Sequence, residues 1–311
     1  MDPSLIDLLT DVPAATARYD IRDDQGRSMD TLKVIACPSG GYLAVYHTGI
    51  GNGQFAVHVA VSDDLLTWTH RAELDRPASQ PTIVALSDGG FLVALEAGGG
   101  GPPPWLRFLY YADAERLLSG GADRVFDAPH TLVPRGRHAE GTPNVYAARL
   151  DPDIDHSTID IGFHYFRRGR VDRQGRGTLI DFGRWRTRRE RHLDDALERW
   201  GTRGNIGGRD RFIWRGRPYL LIEGQLERGV WESWRTFLYD ESTGTATPLE
   251  FRTPGGTVAF ANPSATVLTL PSGEPGLVVT AYLFHAGAAP GEGGPLLYYR
   301  AATGAETGRR R

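Results

Sequence analysis

The stretch that decides the fold is Asp30–His47, DTLKVIACPSGGYLAVYH, in which two apolar runs flank the turn Ser39-Gly40-Gly41. Runs rich in β-branched and aromatic residues on either side of a glycine turn are typical of a β-hairpin. Four more segments repeat this order of a small or polar residue, a short apolar run, a tight turn and a stronger apolar run. They begin at Gln80, Thr142, Arg209 and Asn262.

These five starts lie about 50 to 67 residues apart, and further strands follow in most units, such as Phe55–Ser62 and Trp68–Glu73 in the first. Four strands repeated at this period are typical of propeller blades. The sequence therefore predicts an all-β chain, a single five-bladed β-propeller of four-stranded antiparallel blades over residues 1–300. A disordered tail is predicted at 301–311, and Arg18–Ile21 is predicted to close the ring as the outer strand of the last blade.

Composition excludes several classes of partner. The 311 residues carry a net charge of −3, and Lys33 is the only lysine among 35 basic residues, so an arginine excess without net positive charge does not favour nucleic acid. The chain has no apolar stretch of membrane-spanning length and no signal peptide at its start, which predicts a cytoplasmic protein. The single cysteine, Cys37, allows no intrachain disulfide. A small-molecule substrate is the expected partner, with neither nucleic acid nor membrane.

Two segments carry a resemblance to a known group. Val59–His70, VAVSDDLLTWTH, contains a Ser-x-Asp-Leu-x-x-Trp run, and Ala139–Tyr146, AEGTPNVY, contains a Glu-Gly run close to a proline. In these features the chain resembles the five-bladed propeller glycosidases of family 43 and of the arabinanase and invertase type. The resemblance implies that Trp68 packs between blades while the polar residues before it form a turn.

The resemblance also implies a catalytic pair. Glycoside hydrolysis uses one protonated and one ionised carboxyl group across the scissile bond. By resemblance, Asp30 would be the base and Glu140 the acid, with both at blade heads facing the central funnel. Family 43 adds a second-blade aspartate that tunes the acid, whereas Ala78–Pro81 has no carboxylate. No cofactor and no metal ligands are predicted, although a structural Ca²⁺ in the funnel is compatible with the resemblance.

Other polar residues are candidates for substrate binding, and each has a structural alternative. Three lie at blade heads, two are carboxylates at the ends of apolar second strands, and two are histidines near blade ends: Gln80, Arg209, Asn262, Glu96, Glu223, His138 and His285. The structural alternative for Arg209 is an ion pair between blades. The alternative for Glu140 is a salt bridge to Arg135 or Arg137.

Three functions remain open from the sequence. The first is a glycosidase-like enzyme that acts on a small glycoside or oligosaccharide through acid/base carboxylates. The second is a non-hydrolytic isomerase, cyclase or lyase for a small intracellular metabolite, which a lone acid/base would serve. The third is a noncatalytic carbohydrate-binding propeller. Fold-level analogy alone does not choose among them.

Overall fold

A computed structural model describes residues 2–99, 103–134, 138–167 and 170–302. The described strands form five four-stranded antiparallel sheets arranged as the blades of a propeller, as predicted. In chain order the elements are α1 (Pro3–Thr10), β1 (Thr16–Tyr19), β2 (Asp30–Ala36), β3 (Tyr42–Gly51), β4 (Gln54–Ser62), β5 (Thr69–Asp75), β6 (Ala78–Ala85), β7 (Phe91–Ala97), β8 (Trp105–Tyr111), α2 (Ala114–Leu118), β9 (Arg124–Asp127), β10 (Glu140–Leu150), β11 (Ser157–Arg167), β12 (Val171–Ile180), β13 (Arg184–Arg189), α3 (Arg191–Glu198), β14 (Ile206–Trp214), β15 (Arg217–Gln225), β16 (Trp234–Asp240), β17 (Thr245–Pro248), β18 (Phe260–Thr269), β19 (Pro275–Leu283) and β20 (Gly294–Ala301).

Blades one to four each use four consecutive strands, starting at β2, β6, β10 and β14. Blade five combines β18, β19 and β20 with β1, which pairs antiparallel to β20 from Thr16↔Tyr299 to Tyr19↔Leu296. The predicted closure is therefore confirmed, with the strand beginning two residues earlier than Arg18. Of the predicted tail at 301–311, β20 includes Ala301, and residues 303–311 lie outside the described residues.

Helix α1 fastens this closing segment. Asp2 caps its N-terminus by accepting from the Ser4 N–H at 2.9 Å, and Leu5 and Leu9 are fully buried in the core shared by blades four and five. The Tyr298 hydroxyl on β20 donates to the Leu9 carbonyl. No helix among the described residues is long and apolar enough to cross a membrane.

The core lies between blades rather than at the axis. Each apolar cluster joins facing sheets of neighbouring blades; one, for example, unites Tyr42 and Trp68 of blade one with Leu268 of blade five. Trp68 is buried, and its indole N–H donates to the Leu65 carbonyl at 3.0 Å. The Asp64 carboxylate binds the N–H of Thr67 at 2.7 Å. The implied roles of Trp68 and of the polar turn before it are confirmed.

The innermost strand of every blade carries a β-bulge near its start. At this bulge Thr31, Gln80, Thr142 and Asn262 adopt a positive φ of 46° to 52°, an uncommon conformation for residues with a side chain. In blade four the bulge falls at Gly207-Gly208. The equivalent positions are thus Thr31, Gln80, Thr142, Gly208 and Asn262, and taking Asp30 and Arg209 as blade heads placed each one residue out of register.

Candidate functional site

A funnel cavity of about 410 Å³ opens at one end of the propeller axis. Strand starts from all five blades contribute to its wall, together with loops of blades three, four and five. The residues that line it are Asp30, His47, Phe55, Ser79, Gln80, Thr142, His164, Asp172, Asn205, Gly207, Glu223, Trp231, Trp234, Ala261, Asn262, Tyr282 and Phe284. No arginine or lysine is among these described lining residues.

Five side chains at equivalent places on the second strands of the blades surround the funnel. We call them the second-strand ring: His47, Glu96, His164, Glu223 and Tyr282. In four blades the ring residue pairs with the residue just before the bulge, for example Ser79↔Glu96 and Gly141↔His164. Because side chains alternate along a strand, this register turns those four toward the funnel end of the axis. In blade four Gly224 pairs with Ile206, and Glu223 lies opposite the bulge at Gly207-Gly208 and lines the cavity.

Members of the ring bind the backbone of the next blade. His47 Nδ1 accepts from the Gln80 N–H at 3.0 Å, and Glu96 Oε2 accepts from the Thr142 N–H at 3.1 Å. Glu223 Oε2 accepts from the Asn262 N–H in the same manner. We call this contact the blade clasp. It satisfies the N–H groups of Gln80, Thr142 and Asn262, three of the four bulge residues with positive φ, which would otherwise lack partners.

Glu223 is a buried carboxyl group of the ring with a raised pKa. It is 5 % exposed, and burial raises its pKa to about 7 even though its two oxygens accept from the N–H groups of Gly208 and Asn262. A carboxyl group that titrates near neutrality can donate a proton at physiological pH.

Asp30 faces the same cavity from blade one. Its half-buried carboxylate accepts from the Ser28 hydroxyl, and burial raises its pKa above the ordinary value. Position and burial both fit the predicted site residue, although its place in the strand precedes the bulge. Glu96 lies deeper, beneath Thr142, and is not among the residues that line the cavity; burial raises its pKa as well.

Glu140 occupies a different place from the one implied by the resemblance. Its buried carboxylate accepts from the N–H groups of Thr131, Leu132 and Val133 and so organises the loop before β10. Glu140 is not among the cavity-lining residues, because the extra residue before Pro143 leaves Gly141 at the strand position that faces the funnel. This geometry does not favour the role of general acid; Arg135 and Arg137, the alternative partners, lie outside the described residues.

Of the predicted binding residues at blade heads, two line the funnel cavity and one does not. Gln80 and Asn262 line the funnel cavity as predicted. The guanidinium of Arg209 instead lies between blades three and four, where it pairs with Glu190 at 3.1 Å and donates to Gln174 at 2.5 Å. Its side chain is fully buried, which matches the structural alternative. The bulge explains the difference, since a shift by one residue reverses the direction of a side chain.

Neither predicted histidine lines the funnel cavity. His138 packs against Phe166 with ring centroids 5.6 Å apart. His285 is exposed and lines a neighbouring cavity with Arg22 and Tyr282, of which Tyr282 also borders the funnel. No group of three histidine, cysteine, aspartate or glutamate side chains among the described residues is arranged to hold a metal ion.

Sequence reasoning missed several cavity residues. Trp231, Trp234, Tyr282 and Phe284 form an aromatic wall in which the rings of Trp231 and Phe284 lie 4.8 Å apart. Trp231 is 53 % exposed, so its face is open to a ligand. His164 and Asp172 were missed too; comparing second-strand ends across all five repeats would have found His164 opposite Gly141.

Below the funnel, the axis is filled by a polar cluster with one side chain from each of four blades. Asp210 is its centre and accepts from Lys33 Nζ at 2.5 Å, Asn144 Nδ2 at 2.6 Å, Ser264 Oγ at 2.8 Å and the Ala265 N–H at 2.9 Å. The only lysine of the chain thus forms a buried ion pair at the axis.

The glycine at 207 leaves room for Glu223, and this can be tested. A Cβ atom at Gly207 would stand 2.3 Å from Glu223 Oε1, so Gly207→Ala should displace the carboxylate from the N–H groups of Gly208 and Asn262 and cost about 1–3 kcal/mol of unfolding free energy, as buried N–H groups without partners do. Gly49→Ala is the matched control, because nothing lies within 4 Å of a Cβ there. Urea unfolding of both variants makes the comparison, and equal stabilities would contradict the packing argument.

Comparison with known proteins agrees with this architecture. No protein-family model and no curated protein matches the chain in sequence. Among solved structures, a thermostable family-43 glycoside hydrolase superposes with a TM-score of 0.58 at 14% identity, over 90% of this chain and 91% of the other. The chain has the fold of the propeller glycoside hydrolases.

Further structures extend this likeness. An exo-1,5-α-L-arabinanase from a bovine ruminal metagenomic library matches with a TM-score of 0.56 at 14% identity, over 91% of this chain and 94% of that one. A family 117 glycoside hydrolase from Zobellia galactanivorans matches with a TM-score of 0.55 at 11% identity, over 92% and 90%. At such identities the comparison establishes the fold, and the function has to be argued from the site.

Proposed function

We propose that this propeller is a glycosidase-like enzyme that acts on a neutral glycoside or short oligosaccharide in the funnel cavity. The observation that carries the proposal is that Asp30 and Glu223, from blades one and four, line one cavity that also has an aromatic wall. Two carboxyl groups in different environments are what glycoside hydrolysis requires.

In the proposed mechanism Glu223 is the general acid. With a pKa raised to about 7 by burial, it holds a proton near neutral pH and delivers it to the leaving-group oxygen of the substrate. Asp30, whose carboxylate accepts from the Ser28 hydroxyl, acts as the base from the opposite side, on a water molecule or on the sugar itself. Glu140 takes no part in this scheme.

Substrate recognition is proposed to combine stacking and hydrogen bonding. Trp231 offers an exposed ring face for the apolar side of a sugar, and Gln80 and Asn262 offer amide groups for its hydroxyls. The described lining residues supply carboxylates and no arginine or lysine, so a negatively charged sugar would be repelled.

The test is a panel of chromogenic glycosides. Neutral arabinofuranosides, xylosides and galactosides are chosen because solved structures of the same fold include an α-L-arabinofuranosidase, an endo-1,4-β-xylanase and a β-1,3-galactosidase. The matching glucuronide is the charged control. We expect release of the chromophore from at least one neutral member, and at least about tenfold slower release from the glucuronide, since like charges cost binding energy.

The result also separates the other functions. Saturable binding of a neutral sugar, measured by ligand-observed NMR without turnover, would favour the noncatalytic propeller. Absence of both binding and turnover across the panel would contradict the proposal and leave the non-hydrolytic enzyme as the better hypothesis.

A further inference from the structure

The blade clasp recurs between most neighbouring blades and so sets an expectation for each one. His47, Glu96 and Glu223 each accept the N–H of the bulge residue in the following blade. By the same rule, His164 of blade three should accept the N–H of Gly208 in blade four.

Blade three does not follow the rule, and among the described residues Tyr282 of blade five makes no such bond to Thr31 of blade one either. The Gly208 N–H donates instead to Glu223 Oε1, within its own blade, at 2.6 Å. His164 Nδ1 is buried and has no hydrogen-bond partner among the described residues. In blade one the same atom of His47 accepts the equivalent N–H, so a histidine at this place is able to make the clasp.

Three carboxyl groups lie near His164. They are Glu96 on β7, Glu223 on β15 and Asp172 on β12, whose Oδ1 atom is 3.8 Å from His164 Nε2. Burial raises the pKa of Glu96 and of Glu223. Asp172 favours a proton on Nε2, which leaves Nδ1 free to accept.

We propose that His164 is a positioning residue for Glu223: its Nδ1 atom is a second acceptor for the Gly208 N–H, in competition with the Glu223 carboxylate. In the observed arrangement the N–H stabilises ionised Glu223. When Glu223 takes up a proton from solvent, it becomes a poorer acceptor and the N–H turns to His164. No covalent bond changes, and the peptide at Gly207-Gly208 carries no side chain that would resist the turn.

The consequence for catalysis rests on the proposed role of Glu223 as the acid. His164 would stabilise the protonated, proton-donating state by giving the freed N–H a partner, since a buried N–H without one is costly. The hydrogen-bond exchange itself can be measured without any substrate.

The test is a carboxyl ¹³C NMR titration of the full chain, with the Glu223 signal assigned by its loss in Glu223→Gln. His164→Phe removes the acceptor and any charge, whereas His164→Asn removes any charge and keeps an acceptor, because the asparagine Oδ1 atom takes the place of Nδ1. We expect His164→Phe to lower the pKa of Glu223 by about one unit, a tenfold change in proton affinity, and His164→Asn to restore most of it. His47→Phe, which removes a distant clasp, should leave this pKa in place.

Two outcomes would overturn the inference. A rise of the pKa in both His164 variants would mean that His164 acts on Glu223 only through its charge, and an unchanged pKa in both would mean that it does not act on Glu223. If His164→Phe fails to fold, His164→Leu takes its place, because it also removes the acceptor, and the same two outcomes apply. If the titration behaves as expected and no glycoside is cleaved, only the proposed function fails.

Discussion

Replacing Glu223 with glutamine is expected to lower turnover of an accepted glycoside by about 10²–10⁴-fold, the usual contribution of a positioned general acid. Asp30→Asn should cause a loss of similar size. In the parent protein, turnover should fall as the pH rises through about 7, because Glu223 then loses the proton that it has to donate. Initial rates between pH 5 and 9 provide the measurement.

Glu140→Gln is the control that separates this assignment from the one implied by sequence resemblance. It weakens the three N–H bonds that hold the loop of Thr131–Val133, so it should reduce stability and leave the pH profile of turnover in place. A folded Glu140→Gln protein with no activity, beside an active Glu223→Gln protein, would reverse the assignment.

Asp210→Leu is expected to cost about 3–5 kcal/mol of unfolding free energy, the largest effect on stability that we predict. The substitution leaves Lys33 buried at the axis without its partner, and an unpaired buried charge is much more costly than the pair is favourable. Asn144 and Ser264 lose an acceptor at the same time. Urea unfolding at neutral pH gives the value.

The double variant Lys33→Met/Asp210→Leu tests the reason for that loss. It removes both charges together, so it should regain a large part of the stability lost in Asp210→Leu. A double variant no more stable than the single one would show that the hydrogen bonds to Asn144 and Ser264, rather than the unpaired lysine, carry the effect.

The architecture could be predicted from the sequence because each blade repeats a hairpin with its own turn signal. Ser39-Gly40-Gly41 and Asp88-Gly89-Gly90 mark turns without reference to the rest of the chain. The closure of the ring was also predicted from the sequence, although the closing strand begins at Thr16 rather than at Arg18. Helix α1 was not predicted, yet Asp2 before Pro3 is a recognisable helix start.

The site was less predictable because its side-chain directions depend on the bulges. A bulge adds one residue to a strand and reverses the faces after it, so Asp30 reaches the funnel while Arg209 turns into the blade interface. The sequence around Glu140 matches the family motif, but its carboxylate binds the N–H groups of Thr131–Val133. These partners depend on the path of a loop, which no local sequence pattern predicts. The raised pKa of Glu223 results from its burial in the folded propeller, so it could not be predicted from the residues next to Glu223 in the sequence.

Because β1 pairs with β20, the funnel can be completed only late in folding. Thr16 finds its partner, Tyr299, only after nearly all of the described chain exists, so the first of the described strands is among the last to pair. Contacts this remote in sequence slow folding. Blades one to four can gather during synthesis, but the wall between Asp30 and Tyr282 forms only when the ring closes. The ability to bind a ligand in the funnel should therefore appear in a single late step of folding. A ligand that contacts both Asp30 and Tyr282 would stabilise the closed ring.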